Sequence, residues 1–321
     1  MHRAIVSVVS VLIALLALGA NASDVVRITP LGGQAGEFCV LDRALVFEDP
    51  NGTRILYDAG RTVAGAEDPR LGRVDIVLLS HVHADHLGDR HIKAVNAGTC
   101  AKPEFAVDDT PDSNTVRIAV AKQAKMVTGS EMAGLFAAKL KAAGGDAGNS
   151  ILARFGSDRT VGGVHITTVE ADHSNGLAPE FIPGPLGDEL KAAGLNAYVG
   201  PPTGYVVTFS NGLVVYLSGD TGINAEQKSV VHDYYHAKLA VMNIGDVYTT
   251  GPAEAAYVVN DLVRPAAVIP SHANEAATRD GKVLPGTRTA RFIEATHVPV
   301  HVPLSGRTMS FDAGGACVAG C

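Results

Sequence analysis

Hydrophobic and polar positions along this chain fall into short units, not long uniform runs. Residues 44–48 and 53–57 are β-rich runs flanking Asp49-Pro50-Asn51-Gly52, and residues 205–209 and 213–217 flank Asn211-Gly212. Asn-Gly between two such runs predicts a hairpin, because the tight turn needs residues that tolerate positive φ. Residues 130–143 carry Met132, Leu135, Phe136 and Leu140 at helical spacing. A second helix is predicted over 252–263, where Pro252 suits the first turn, and a third over 287–295. The short apolar runs 74–79, 239–244 and 267–270 predict strands covered on both faces. Strands and helices intermix without a linker or repeat, which predicts one α/β domain over residues 23–321.

One stretch breaks the pattern. Residues 174–204 hold Pro179, Pro183, Pro185, Pro201 and Pro202 together with exposed-looking Leu177, Phe181, Ile182, Leu186 and Leu195. A long irregular apolar segment inside a compact domain reads as a lid or binding loop. Phe181, Tyr198 and Tyr205, in or beside it, are candidate substrate contacts.

Composition narrows the function classes. With 321 residues and 46% apolar content the chain can bury a sizeable core, and 35 Gly suit a loop-rich α/β protein. A net charge of −7 repels polyanions, and 5% aromatics with no Trp offer little stacking surface, so nucleic acid is excluded as a partner. The start Met1-His2-Arg3, the apolar run 4–20 and Ala20-Asn21-Ala22 read as a signal peptide over residues 1–22, cleaved after Ala22. That run is short for a membrane span, so the expected destination is the periplasm or the exterior. An oxidising destination makes disulfides expected among Cys39, Cys100, Cys317 and Cys321, with three pairings open. The Gly-rich tail around the last two reads as a loose end pinned covalently.

The chemistry concentrates in Ser80-His81-Val82-His83-Ala84-Asp85-His86, at the end of an apolar run. His81 and His83 stand two apart, so extended backbone turns both to one side, and Asp85 and His86 can face back from the following turn. Imidazole and carboxylate are ligands of Zn²⁺ and related divalent ions. His173, Asp220 and His272 each stand where a predicted strand gives way to a loop.

The series His81, His83, Asp85, His86, His173, Asp220 and His272, in that order, resembles the metallo-β-lactamase superfamily of metal-dependent hydrolases. The resemblance spans nearly all of residues 24–311. It implies an αββα sandwich with the site at one edge of two sheets. It also implies that His81, His83 and His173 bind one metal, that Asp85, His86 and His272 bind a second, and that Asp220 bridges them. Asp58 would be the carboxylate that steadies the site from behind. Residues 204–222 and 244–272 are similar to the L-ascorbate-6-phosphate lactonase-like hydrolases. A bridging Asp is the pattern of lactonases, thioesterases and phosphodiesterases, whereas β-lactamases of this fold usually place Cys or Ser near that position.

The expected cofactor is two divalent ions per chain, Zn²⁺ first, with Mn²⁺ or Fe also compatible. Two such ions can share a hydroxide that attacks a carbonyl or phosphoryl centre, with Asp85 orienting it and relaying its proton. The expected substrate is a small ester, lactone or related carbonyl compound. The nearest rival, a phosphodiesterase, wants Lys or Arg near the pocket, and Lys191 alone stands between Arg159 and Lys228. A β-lactamase, a mononuclear iron redox enzyme and a non-catalytic binding protein are weaker readings. The other histidines read as structural: His232 and His236 as a helix face, His165 as an outward strand residue, His297 and His301 around an edge strand, and His91 as a helix cap.

Overall fold

The computed structural model describes residues 24–321, so the predicted signal peptide lies outside the described residues. Side-chain alternation along the strands sorts residues to two faces. Leu45, Phe47, Ile55 and Tyr57 turn into one apolar cluster, while Val46 and Leu56, between them in sequence, turn into another. Two large sheets result. In space, the first runs Ser150–Leu152, Lys125–Thr128, Ile76–Leu78, Arg54–Tyr57, Leu45–Glu48, Val26–Pro30, Met309–Phe311 and Cys317–Ala319. The second runs Asp158–Val161, Val164–Glu170, Thr203–Thr208, Val214–Leu217, Leu239–Asn243 and Ala267–Ser271. Both predicted hairpins form, pairing Leu45 with Tyr57 and Tyr205 with Leu217.

The sheets pack face to face through Phe47, Ile55, Leu78, Val207, Val215, Leu239 and Ile269, among others. The outer face of the first sheet is covered by the helices Asn114–Lys122 and Met132–Ala142. Pro252–Tyr257, its π-helical continuation Val258–Val263, and Arg288–Ala295 cover the second. The architecture is the αββα sandwich. The Val214–Leu217, Leu239–Asn243 and Ala267–Ser271 strands are parallel, as are Arg54–Tyr57, Ile76–Leu78 and Lys125–Thr128. Their carboxyl ends therefore gather a set of loops at one edge of the sandwich.

Residues 174–204 are more regular than expected. They contain a short strand pair, Gly176–Leu177 with Ala197–Tyr198, a 3₁₀ turn at Pro179–Phe181 and the helix Pro185–Ala193. Leu186 and Leu195 are exposed, but Leu177 and Phe181 are buried in the layer that also holds Met132, Phe136 and Leu140. The prolines thus shape a structural cap on the first sheet's helices.

Cys39 is bonded to Cys100, and Cys317 to Cys321. The tail is consequently closed on itself, not pinned to the body by sulfur. Its hold on the body is the pairing of Cys317–Ala319 with Met309–Phe311. No helix among the described residues is long and apolar enough to cross a membrane.

Phe47 is buried between the sheets and stacks on Phe209 with ring centroids 5.9 Å apart. Phe47→Ala is expected to cost about 3–5 kcal/mol through lost transfer energy and the cavity left behind. Urea denaturation measures it, and a loss below about 1 kcal/mol would show that the two sheets do not depend on this contact.

Candidate metal centre

Each candidate ligand is delivered by a strand end or the turn after it. Asp58 follows Arg54–Tyr57, His81 follows Ile76–Leu78, His173 follows Val164–Glu170, and Asp220 follows Val214–Leu217. His272 directly follows Ala267–Ser271, with φ +52°. Beyond His81 and His83 the chain makes one helical turn, Ala84–Leu87, in which the His83 carbonyl accepts from the His86 and Leu87 amides. That turn swings Asp85 and His86 back toward His81. Gly60 makes the approach possible: at φ +56°, a Cβ there would meet the Asp85 carbonyl oxygen at 2.5 Å.

The structure brings all seven candidates together. Ligand atoms of His81, His83 and His173 lie within 4.8 Å of one another, as do those of Asp85, His86 and His272. Asp220 stands between the two sets. Its Oδ2 is 3.9 Å from His81 Nε2, 3.8 Å from His173 Nε2 and 3.0 Å from His272 Nε2, and its Oδ1 is 3.3 Å from His86 Nε2. Behind them, Asp58 accepts from His86 Nδ1 at 2.8 Å and from the Ser80 amide and hydroxyl at 2.9 and 2.8 Å. Ser80 Oγ in turn lies 2.9 Å from His81 Nδ1. One carboxylate thus orients two imidazoles, one of them through a serine.

Burial and charge oppose one another here. Burial pushes His81, His83 and His173 below the usual imidazole range, which favours neutral rings with a free lone pair. Burial also works to raise Asp220 and Asp85, but the facing imidazoles outweigh it and hold both well below the usual carboxylate range, with Arg43 assisting at Asp85. Burial lowers His86, yet Asp220, Asp85 and Asp58 overcome it and push its pKa up to about 10. His81 Nε2, His86 Nε2 and Asp220 Oδ1 are buried without a hydrogen-bond partner. Orphaned buried polar atoms cost about 1–3 kcal/mol each, and three of them at the meeting point of imidazoles and carboxylates form a donor set that fits divalent cations.

Some residues at the site were not singled out in the sequence reading. Arg43 is buried and donates to Asp85 Oδ2 at 3.0 Å and to Asn274 Oδ1 at 2.6 Å. Asn274 Nδ2 lies 3.2 Å from His272 Nδ1, so one guanidinium fixes both the carboxylate and, through the amide, the imidazole. Ser80 and Arg43 carry no local signal, since each acts through a partner far away in sequence. A cavity of about 580 Å³ opens on the cluster, walled by Val40, Leu41, Val247 and Tyr248 and by Arg61, Asp246, Asn274 and Arg288.

The proposed substrate contacts need correction. Tyr205 is fully buried and donates to the Leu79 carbonyl at 2.6 Å, and Phe181 is core. Tyr198 stands in solvent away from the cavity walls. Among the decoys, His232 Nδ1 pairs with the Val263 carbonyl at 2.9 Å, whereas His236 lies beyond the helical turn at φ +55°. His165 is exposed beside Asp158. His91 caps no helix: it sits buried on the two-residue strand Arg90–His91, against the Ile92 carbonyl.

A model described as the beta-lactamase superfamily domain matches residues 41–272. The chain belongs to the metallo-β-lactamase superfamily. This superfamily member is 30% identical over 246 residues to a UPF0173 metal-dependent hydrolase of Methanopyrus kandleri, covering 77% of this chain and 83% of that one. It is 28% identical over 264 residues to the UPF0173 metal-dependent hydrolase of Koribacter versatilis, covering 81% and 91%. Among solved structures, a metallo hydrolase from Ignicoccus hospitalis shares its fold at a TM-score of 0.59 and 22% identity, over 90% of this chain and 99% of that one. An isothiocyanate hydrolase from Delia radicum gut bacteria does so at 0.53 and 19%, over 89% and 99%.

The charge balance carries a pH signature. His86 has a raised pKa, so its ion pairs contribute stability that is full below about 6.5 and lost as pH rises through about 10. His81, His83 and His173 act oppositely, and at lower pH, so they do not cancel it in that window. Chelator-treated protein is expected to melt progressively lower between pH 7 and 10, and His86→Gln should flatten that slope. An unchanged slope in the variant would remove His86 as its source.

Proposed function

We propose that this metallo-β-lactamase superfamily member is an exported hydrolase working with two divalent ions, Zn²⁺ first among them, on an ester, lactone or related carbonyl substrate. The observation that carries this reading is Asp220, whose carboxylate stands between two complete three-ligand sets. In this reading His81, His83 and His173 hold one ion, Asp85, His86 and His272 hold the other, and Asp220 is shared. Such ions supply Lewis acidity and lower the pKa of bound water toward ~7. The chain's own residues do the rest. Asp85, kept ionised and clamped by Arg43, is the acceptor for a proton leaving the nucleophile. The exposed tip at Val247 and Tyr248 covers the apolar part of the substrate. Val247 holds φ +62°, which costs a β-branched residue of order 1–3 kcal/mol. The choice of carbonyl chemistry follows from the sequence resemblance of residues 204–222 and 244–272 to lactonase-like hydrolases.

A phosphodiester is the second reading, and the cavity supports it better than the sequence did. Arg61 and Arg288 line the cavity wall and stand outside residues 159–228. Both have carboxylate partners, Arg61 at Asp89 and Arg288 at Glu275, which tempers their pull on an anion.

Three proteins decide the metal assignment. Asp220→Ala is expected to drop metal content from about two ions per chain toward one or fewer and to lower turnover by several orders of magnitude. The double change His232→Ala with His236→Ala should leave both nearly intact. Elemental analysis showing the reverse overturns the site, and a hydrolysis screen of loaded protein on lactones, esters, phosphodiesters and β-lactams separates the substrate readings. Export is checked independently: N-terminal sequencing after expression in a Gram-negative host is expected to begin at Ser23, and recovery of intact Met1 in the cytosol would refute it.

A further inference from the structure

A second cluster of metal-type donors lies at the opposite end of the chain from the family's motif. His301, Cys317 and Cys321 place their ligand atoms within 4.8 Å of one another, and all three stand outside the matched residues 41–272. We propose that this tail is a redox-gated site for a thiophilic ion of the Zn²⁺ class, with Cys317, Cys321 and His301 as ligands. It does not rest on the hydrolase reading.

The tail is built to converge on this point. His301 is set by the edge of the second sheet, its amide donating to the Val268 carbonyl at 2.9 Å and its ring packed edge-on against Phe311 at 5.5 Å. Cys317 is fixed by strand pairing opposite Phe311. The return of Cys321 toward it depends on Gly320, which sits at φ +79°, where a Cβ would meet the Thr308 carbonyl oxygen at 2.0 Å. Beside the cluster a cavity of about 480 Å³, walled in part by Arg307, Thr308 and Met309, leaves room for a fourth ligand.

As a staple the Cys317–Cys321 bond does about half as much as Cys39–Cys100. It spans four residues, against 61 for Cys39–Cys100, and the chain entropy removed by a cross-link grows with the loop it closes. A function other than stapling fits its position next to an imidazole. Cys321 is exposed, so a small dithiol can reach the bond. The dithiol supplies two electrons and two protons, the Cys317–Cys321 bond breaks, and the dithiol closes into its own disulfide. Metal binding then releases both thiol protons, leaving two thiolates and one imidazole, a donor set that suits Zn²⁺. A small disulfide reverses the gate: it takes two electrons from the two thiolates and is released as two thiols or thiolates, the Cys317–Cys321 bond re-forms, and the ion is expelled.

Cobalt distinguishes this site from the edge cluster, because the edge cluster contains no sulfur. The full mature chain is titrated with Co²⁺ before and after mild reduction, following the thiolate-to-cobalt charge-transfer band. Reduced protein is expected to gain one equivalent of the band, bleached by Zn²⁺, and oxidised protein to show none. Cys317→Ser with Cys321→Ser should abolish it. His301→Ala should weaken binding by more than about tenfold, since losing even an outer-shell partner costs that much. Cys321→Ser alone alters an exposed side chain outside the apolar clusters, so its failure to bind is not a failure to fold. No band in reduced wild type, a band surviving the double change, equal affinity in His301→Ala, or a band in oxidised protein each overturns the proposal.

Discussion

Buried charge at one edge of the sandwich is the constraint on which the rest of this structure depends. Asp58, Asp220 and most of Asp85 are removed from water, within contact of His81, His86 and His272. Carboxylates so placed repel each other strongly in a low dielectric unless cations stand between them. The chain itself supplies the Arg43 guanidinium, which donates to Asp85. It leaves three buried ligand atoms unpartnered where a divalent charge would be strongest. The cluster is therefore expensive as a structural feature and sensible as a cation site.

The fold carries this cost by distributing it. The three carboxylates follow three different strands, Asp58 after Arg54–Tyr57, Asp85 after Ile76–Leu78 and Asp220 after Val214–Leu217, and the strands themselves are anchored in the apolar interior between the sheets. The Cys39–Cys100 bond ties down the segment leading to Val40, Leu41 and Arg43, so one cavity wall and the clamp on Asp85 share a covalent anchor. By the chain-entropy account, closing a loop of that length contributes about 4 kcal/mol.

Much of this was legible in the sequence because it is local. Hairpins announced themselves through Asn-Gly, buried strands through short apolar runs, and the first ligands through their crowding after one strand. Asp58 was found through the superfamily resemblance. The residues that were missed act at a distance: Arg43 meets Asn274 across 231 positions, and Ser80 is informative only once Asp58 is beside it. The residues that misled did so through composition. Prolines near Phe181 suggested an open lid, but proline fixes φ equally well in a folded cap, and Phe181 found the helical layer beneath it. The cavity rim at Asp246 and Val247 owes its shape to two consecutive left-handed residues, which no hydrophobic pattern encodes.

The ligand order along the chain has a kinetic meaning. From Asp58 to His272 the cluster draws on both sheets and on most of the polypeptide's length, so no fragment released early in synthesis can assemble it. His272 comes from Ala267–Ser271, the last strand of the second sheet in sequence, so the full set of seven ligands exists only once that strand is in place. A chain lacking Ala267–Ser271 would keep His81, His83 and His173 but lose His272 and with it the second three-residue group.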